Sequence, residues 1–540
     1  MKKIITLLFL FIAHNTLNAQ TVGTISLDSN LAYDGLTLLA PINSTETYLI
    51  NNCGEIVNQW SSTVNAGNSV YLLENGNLLR AGKVANPDVS FGGVGGKVEL
   101  YNWEGTLLWE YIYSTPTVSQ HHDVYPLPNG NVLMLAVDTM DMNEAIEAGR
   151  DPSMLSENKL YNEQILELEP VGTDQANIVW QWDIKDHLIQ DFDNTKSNFG
   201  VVADNPQLLD VNFLNQTTTL ANWLHVNSIQ YNATLDQIIL SSRNLSEIYI
   251  IDHSTTTAES SSHSGGTYGK GGDFLYRWGN PESYDKGTAA DRTLDGQHYP
   301  HWIPDGLTDA GKIMIYNNGN MTAASSVDII APATSAPGVY VYDSTDGYGP
   351  TEAEWRYMAT PATDFFSPIL SSGQRLPNGN TLICDGDNGY FFEIDPTNTI
   401  VWEYRNPDTT NGILSQGETP ILNIVFRAFK YSLDYPAFTG RDLTPGVPVE
   451  QNPTGCNILS VTDHELLDVS TTLYPNPVKN LLTIDSKNTI EKIEVYNIQG
   501  QKVKSVINRN TLDLSTVTSG IYLVKVFSNN NLITRKIIKQ

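Results

Sequence analysis

The chain is poor in cysteine. Only Cys53, Cys384 and Cys456 occur in 540 residues, far apart and without metal-ligand spacing. A disulfide framework and a zinc ribbon are therefore excluded, and at most one disulfide can form. Cys53 and Cys384 fall near the two ends of a repeat region whose closure would bring them together, with two free buried thiols as the alternative. Basic residues are also scarce, 31 against 60 acidic ones, for a net charge of −29. Most of the basic excess gathers beyond Leu473, so the body of the chain is still more acidic than this total. Such a surface repels phosphate backbones and anionic headgroups, which argues against nucleic-acid and membrane partners and reads as a solvated acidic exterior.

Long apolar runs are missing as well. No stretch approaches the roughly 20 residues a spanning helix needs, so no transmembrane segment is expected. One shorter run, Ile4 to Ala13, follows Lys2 and Lys3 and leads to Ala19. That order predicts a secretory signal peptide over residues 1–19. Helical periodicity is nearly absent, and no P-loop or similar phosphate cradle occurs.

What is present is a recurring tryptophan. Short strands end in Trp60, Trp109, Trp180, Trp278, Trp355 and Trp402, and between them lie apolar runs broken by Asn-Gly at Gly76, Gly130 and Gly379. Asn-Gly between alternating apolar residues is a strong hairpin signal, and periodic strands with a repeated tryptophan are typical of propeller blades. The pattern predicts an all-β, six-bladed β-propeller over 20–435, with long insertions after Glu144, from Asp183 and from Ser254 as candidate lids. Two tandem β-sandwiches are the competing architecture. A Gly/Pro/Ser/Thr-rich linker is expected over 436–472. A small C-terminal β-sandwich is expected over 473–540.

The stretch 223–243, WLHVNSIQYNATLDQIILSSR, predicts a hairpin centred on Thr234 that sets His225 opposite Arg243. An imidazole beside a guanidinium suits transfer of a sulfate- or phosphate-like group. Four more histidines sit at blade starts: His121 and His122 before DVYPLPNGN, and His298 and His301 in GQHYPHWIPDG. Adjacent strand residues point to opposite faces, so only one of His121 and His122 can look into a central channel. Histidines converging on one axis could also bind a metal, but an arginine among them would repel it, and the anion reading is taken. DGDNG at Asp385 to Gly389 lacks the terminal glutamate of a calcium loop and reads as an acidic turn.

The tail, with YPNP at 474–477, VYNIQG at 495–500 and SGIYLVKV at 519–526, resembles the C-terminal sorting domain of the Bacteroidetes type IX secretion system. The resemblance implies export by the Sec route and then by the type IX machinery, to the cell surface or the medium. The segments HHDVYPLPNGN, NWLHVNSIQYNATLDQIILSSRNLSEIYIID, GGDFLYRWGNP, GQHYPHWIPDG with IMIYNNGN, and RLPNGNTLICDGDNGYFFEIDPTNTIVWEY, within about Asn52 to Tyr435, resemble the bacterial arylsulfotransferase family. That family consists of exported six-bladed propellers that move a sulfuryl group between phenols without the nucleotide sulfate donor. The resemblance implies His298 as the nucleophile that becomes sulfated and Arg243 as a clamp on the sulfuryl oxygens. His225 and His122 would bind oxygens and handle the phenolic proton, and His121 and His301 are further candidates for substrate binding. It implies an aryl sulfate donor, a phenolic acceptor, no cofactor and no metal. Tyrosines and tryptophans, 26 and 10 in number, are expected to stack on the phenol ring. Repeat units begin too early for the N-terminal sandwich through which enterobacterial members dimerise, so the oligomeric state stays open. A non-catalytic propeller binding a glycan or sulfated ligand, and a sulfatase using water as acceptor, are the alternative functions.

Overall fold

A computed structural model describes residues 20–213, 219–454, 456, 471–486, 489–497, 501–528 and 531–540. The expected signal peptide and much of the expected linker lie outside the described residues. The chain forms two compact units, 1–458 and 459–540.

The first unit is nearly all β. Among the described residues its principal sheets are antiparallel and number six, five with four strands and one with five. In chain order their innermost strands are Ala66–Leu72, Val118–Pro126, Val226–Asn232, His298–Trp302, Ser372–Arg375 and Val425–Ser432. Each of these touches the next, and Val425–Ser432 touches Ala66–Leu72, so the sheets close into a propeller-like ring. Closure is carried by pairing between the early and late strands of this unit. Val425–Ser432 runs beside Gly35–Pro41, and the early strand Gly23–Leu27 joins the last sheet by pairing with Ile400–Arg405.

The repeated tryptophan has a defined job in this ring. Five lie on the outermost strand of a sheet, Trp402 lies on the strand that Gly23–Leu27 flanks, and five of the six donate their indole N–H to the following sheet or its connecting loops. Trp60 reaches Asn102 O (2.8 Å), Trp109 reaches Gln175 O (2.7 Å), and Trp180 reaches Thr255 Oγ1 (3.2 Å). Trp278 reaches Pro350 O (2.6 Å), and Trp402 returns to Asn52 O (2.8 Å). Trp355 makes its link differently, with the Arg375 guanidinium 4.3 Å from its ring centroid. A large apolar side chain with one donor fits this position because its ring buries against the neighbouring sheet while its N–H finds an acceptor there. The three Asn-Gly turns place Gly76, Gly130 and Gly379 at φ of 86–90°, a region that disfavours any side chain.

Cys53 pairs with Cys456 and not with Cys384, which is buried and free. The sequence expectation looked for a partner within the repeats. The partner instead comes from the segment that follows them, because that segment returns across the first sheet. Gly446 N–H donates to Ile56 O (2.8 Å), Val449 N–H donates to Gly54 O (3.1 Å), and Ala437 and Phe438 are buried. The first part of the stretch expected as a linker is thus anchored to the ring unit.

The second unit has one sheet of three strands and one of four. Val478, Leu482, Ile484, Ile493, Val495, Val524 and Val526 bury into one core of its own. Among the described residues no helix is long and apolar enough to cross a membrane.

Candidate functional site

A cavity of about 350 Å³ is lined by His122, His225, Arg243 and His298 together. These come from three consecutive sheets. His122 lies on the inner strand Val118–Pro126, His225 directly precedes Val226–Asn232, Arg243 follows Gln237–Ser242, and His298 opens His298–Trp302.

The hairpin that holds His225 and Arg243 has Asn232 opposite Gln237, so its centre falls just beyond Thr234. A register shift between Val226 and Ser228 brings the pairing back, and Arg243 N–H donates to His225 O at 3.2 Å. The two residues therefore sit across from each other at the end of the hairpin. His122 (φ 47°) and His225 (φ 50°) both adopt left-handed backbone, which is uncommon and strained for residues with a Cβ. Their rings meet edge to face, with centroids 4.8 Å apart.

Each imidazole has its Nδ1 engaged. Asn222 Nδ2 lies 2.6 Å from His225 Nδ1, and His122 Nδ1 lies 2.9 Å from His121 Nδ1. His298 is the best defined. Its Nδ1 is 2.8 Å from Asn318 Oδ1, and the Asn318 amide group donates to Ser367 O (2.7 Å) and Leu370 O (3.2 Å). With both amide hydrogens used, the Asn318 oxygen accepts, so His298 carries its proton on Nδ1 and a lone pair on Nε2. That lone pair accepts from Leu370 N–H at 3.2 Å.

Burial governs the charge state. It is the main cause that holds His122 and His225 well below the usual imidazole range. Neighbouring histidines add to the effect at His122, and the Arg243 guanidinium does so at His225. His298 is pushed down to about 3 by burial first and Arg243 second. All three are neutral near pH 7 and available as nucleophile or base. Arg243 keeps its charge, since guanidinium stays protonated at any ordinary pH. Three fully buried arginines have a carboxylate, Arg80 with Glu99, Arg277 with Glu247 and Arg427 with Asp123, whereas the buried Arg150 bonds to Val211 O and lies over the Trp223 ring. Among the described residues no carboxylate reaches Arg243 within ion-pair distance, and its bonds to Asn244 Oδ1 (3.5 Å) and Pro368 O (3.4 Å) are long. A half-buried guanidinium with no carboxylate at ion-pair distance, in a cavity whose lining has none, attracts an anion and repels a metal cation.

Of the other sequence candidates, His121 faces away from the cavity. It is buried, with Nε2 2.9 Å from Glu163 Oε2 but not aligned for a hydrogen bond. His301 is buried against Tyr299, its ring stacked at 4.5 Å, and does not line the cavity; burial pushes it down to about 4. The walls are aliphatic, from Ile42, Ile369, Leu370 and Ile424, and no tyrosine or tryptophan is among the lining residues. The expected stacking surface is thus replaced by aliphatic walls, with Phe91 close behind at 6.4 Å from the His122 ring and 6.1 Å from the His225 ring. Asn68, Lys83, Gly92, Gly93 and Asn318 were not singled out from the sequence. The glycine-dense stretch FGGVGG at 91–96 was the available signal. A Cβ at Gly93 would lie 2.0 Å from His122 Nε2.

Comparison with known proteins gives a family model described as Arylsulfotransferase (ASST), matching residues 24–419, and one described as Secretion system C-terminal sorting domain, matching 472–540. No protein in the curated set matches. Solved structures share the chain's outline only loosely. A protein of unknown function from Bacteroides caccae is 11% identical, covering 73% of this chain and 98% of its own, with TM-score 0.38. The periplasmic gluconolactonase of Pseudomonas aeruginosa is 8% identical, covering 74% and 99%, with TM-score 0.36. Virginiamycin B lyase of Staphylococcus aureus is 9% identical, covering 72% and 86%, with TM-score 0.31. Likenesses of this size carry no functional information.

Proposed function

We propose, since this chain belongs to the arylsulfotransferase family, that it moves a sulfuryl group from an aryl sulfate to a phenolic acceptor through a sulfo-histidine at His298. The reading takes the ring unit as a six-bladed β-propeller and the two-sheet tail as a β-sandwich. The observation that carries it is the convergence on one cavity of three neutral imidazoles and a guanidinium with no carboxylate at ion-pair distance.

Arg243 receives the sulfate oxygens, and binding of this monoanion favours protonation of His122 or His225. The Nε2 lone pair of His298 attacks sulfur in line with the departing aryloxide. The S–N bond forms, the S–O(aryl) bond breaks, and the aryloxide takes its proton from the imidazolium. Leu370 N–H, released from Nε2, is placed to donate to a sulfuryl oxygen, as Arg243 does from the other side. In the second half-reaction the acceptor hydroxyl gives its proton to the neutral imidazole as its oxygen attacks sulfur and Nε2 departs. Proton and sulfuryl accounts both close over the cycle. Two half-reactions on one cavity imply ping-pong kinetics.

The tail is a type IX secretion C-terminal sorting domain, which directs export to the cell surface or the medium. With residues 1–19 as a Sec signal peptide, the propeller would meet its substrates outside the cell. A chromogenic aryl sulfate tests the activity. Phenol release that rises with an added phenolic acceptor, with sulfate recovered on that acceptor, is expected. Release into inorganic sulfate regardless of acceptor would make the protein a sulfatase instead.

A further inference from the structure

Two of the long insertions meet at a second cluster that the sulfuryl chemistry does not use. His187 closes the short turn Ile184–His187, and His263 and Asp273 come from the glycine-rich loop after Thr257–Ser260. His187 and Asp273 are buried, whereas the His263 side chain is 62% exposed. One ligand atom from each lies within 4.8 Å of the other two.

The hydrogen-bond pattern at His187 is what gives this cluster meaning. Nε2 lies 2.8 Å from Ser260 O, a group that can only accept, so Nε2 carries a proton. In a neutral ring Nδ1 then holds a lone pair, and it faces Asp273 Oδ1 at 2.8 Å. Two acceptors at that distance need a cation between them. His263 Nδ1 comes to the same oxygen, also at 2.8 Å. A second proton on His187 and an Nδ1–H tautomer of His263 would answer the two contacts separately, while a single metal ion answers the convergence of all three atoms.

The surroundings are built for such a site. The His187 ring lies flat on Trp182 (5.6 Å, 5°), and Trp182 Nε1 donates to Gly272 O at 2.8 Å. A Cβ at Gly272 would lie 2.0 Å from Ser260 O and 2.6 Å from His187 Nε2, so only glycine lets the loop close over the imidazole. An imidazole fixed by a backbone carbonyl on one nitrogen and free to ligate with the other is the usual arrangement around protein-bound zinc.

We propose that His187 Nδ1, His263 Nδ1 and an Asp273 carboxylate oxygen form a three-ligand site for a first-row divalent cation, zinc by preference. Two imidazoles and one carboxylate are zinc ligands, whereas calcium and magnesium take oxygen donors. Ligands about 2.1 Å from a tetrahedral ion stand roughly 3.4 Å apart, so binding requires His187 Nδ1 and Asp273 Oδ1, 2.8 Å apart without the ion, to separate by about 0.6 Å and the exposed His263 ring to rotate. The fourth position opens to solvent beside His263. The ion would staple the insertion from Asp183 to the loop from Ser254 and so fix two of the segments expected to act as lids.

The test uses the tag-free full chain, stripped with a chelator and titrated with Zn²⁺ by calorimetry, with thermal unfolding followed in parallel. One equivalent is expected to bind and to raise the Tm. His263→Ala, an exposed substitution, is expected to weaken binding at least about tenfold and to abolish the Tm gain while leaving the apo protein folded. Absence of saturable binding up to about 100 µM Zn²⁺ would overturn the site. Equal binding by wild type and His263→Ala would overturn it too, leaving the cluster a hydrogen-bonded knot around an imidazolium.

Discussion

His122 and His225 meet edge to face, ring centroids 4.8 Å apart, and each is held by a left-handed backbone that residues with a Cβ seldom adopt. Backbone strain at two facing imidazoles is the kind of conformation that persists only where the surrounding structure enforces it. Part of that enforcement is visible in Gly93. Its carbonyl accepts from His122 N–H at 2.7 Å, and its missing side chain leaves room for the His122 ring.

Gly93→Ala should therefore damage activity without unfolding the protein. The added Cβ would sit 2.0 Å from His122 Nε2, and φ of 92° is unfavourable for alanine. A fall in kcat of tenfold or more, about 1.4 kcal/mol, is expected, with circular dichroism unchanged. Full activity in the variant would remove His122 from the reaction.

Arg243 should act on the transition state. Loss of a fixed donor at the sulfuryl oxygens costs about 3 kcal/mol, so Arg243→Ala should lower kcat/KM by roughly a hundredfold or more. Arg243→Lys should recover only part of this, because an ammonium cannot fork two bonds to one tetrahedral group. Parity between the Arg243→Lys variant and wild type would show that point charge alone suffices.

The sign of the pH dependence follows from burial. His122, His225 and His298 are all held below the ordinary imidazole value of about 6.5, His298 at about 3. The acid limb of kcat/KM, which reports the free enzyme, should then lie well under pH 6. Stability should follow the same groups. Between about pH 6.5 and 3 the unfolded chain binds protons that the folded site refuses, so the contribution is complete above 6.5 and is lost as pH falls. An acid limb near 6.5 would contradict the neutral-imidazole site.

Cys456→Ser removes the link between the first sheet and the segment that crosses it. A loss of about 2 kcal/mol or more is expected, measured by denaturant unfolding of the oxidised protein against the variant. Equal stabilities would mean that the hydrogen bonds at Gly446 and Val449 hold the segment unaided.

Much of this arrangement was legible in the chain because single residues carry it. Tryptophan repeats marked outer strands since an indole both buries area and donates one bond to the next sheet. Asn-Gly marked turns since only a few residues accept the backbone they need. The opposition of His225 and Arg243 followed from counting outward from a turn. Other features depend on geometry that has no sequence period. Whether His121 or His122 enters the cavity is decided by one left-handed residue, and the partner of Cys53 is set by the path of a segment with no repeat pattern. Asn318 matters through its two amide bonds; the segment IMIYNNGN that holds it carries the family resemblance, but nothing in it tells Asn318 from Asn317 or Asn320. The aliphatic wall of Ile369, Leu370 and Ile424 was hidden because these residues sit in connections between repeats.

The central claim is that His298 carries the sulfuryl group, and intact mass tests it most directly. Wild type and His298→Ala are each mixed with a chromogenic aryl sulfate without acceptor, quenched and weighed. The account predicts a burst of phenol together with a gain of one sulfuryl group in wild type, discharged by a phenolic acceptor and absent from the variant. An adduct of the same mass on folded His298→Ala, or turnover by that variant at the wild-type rate, would contradict it.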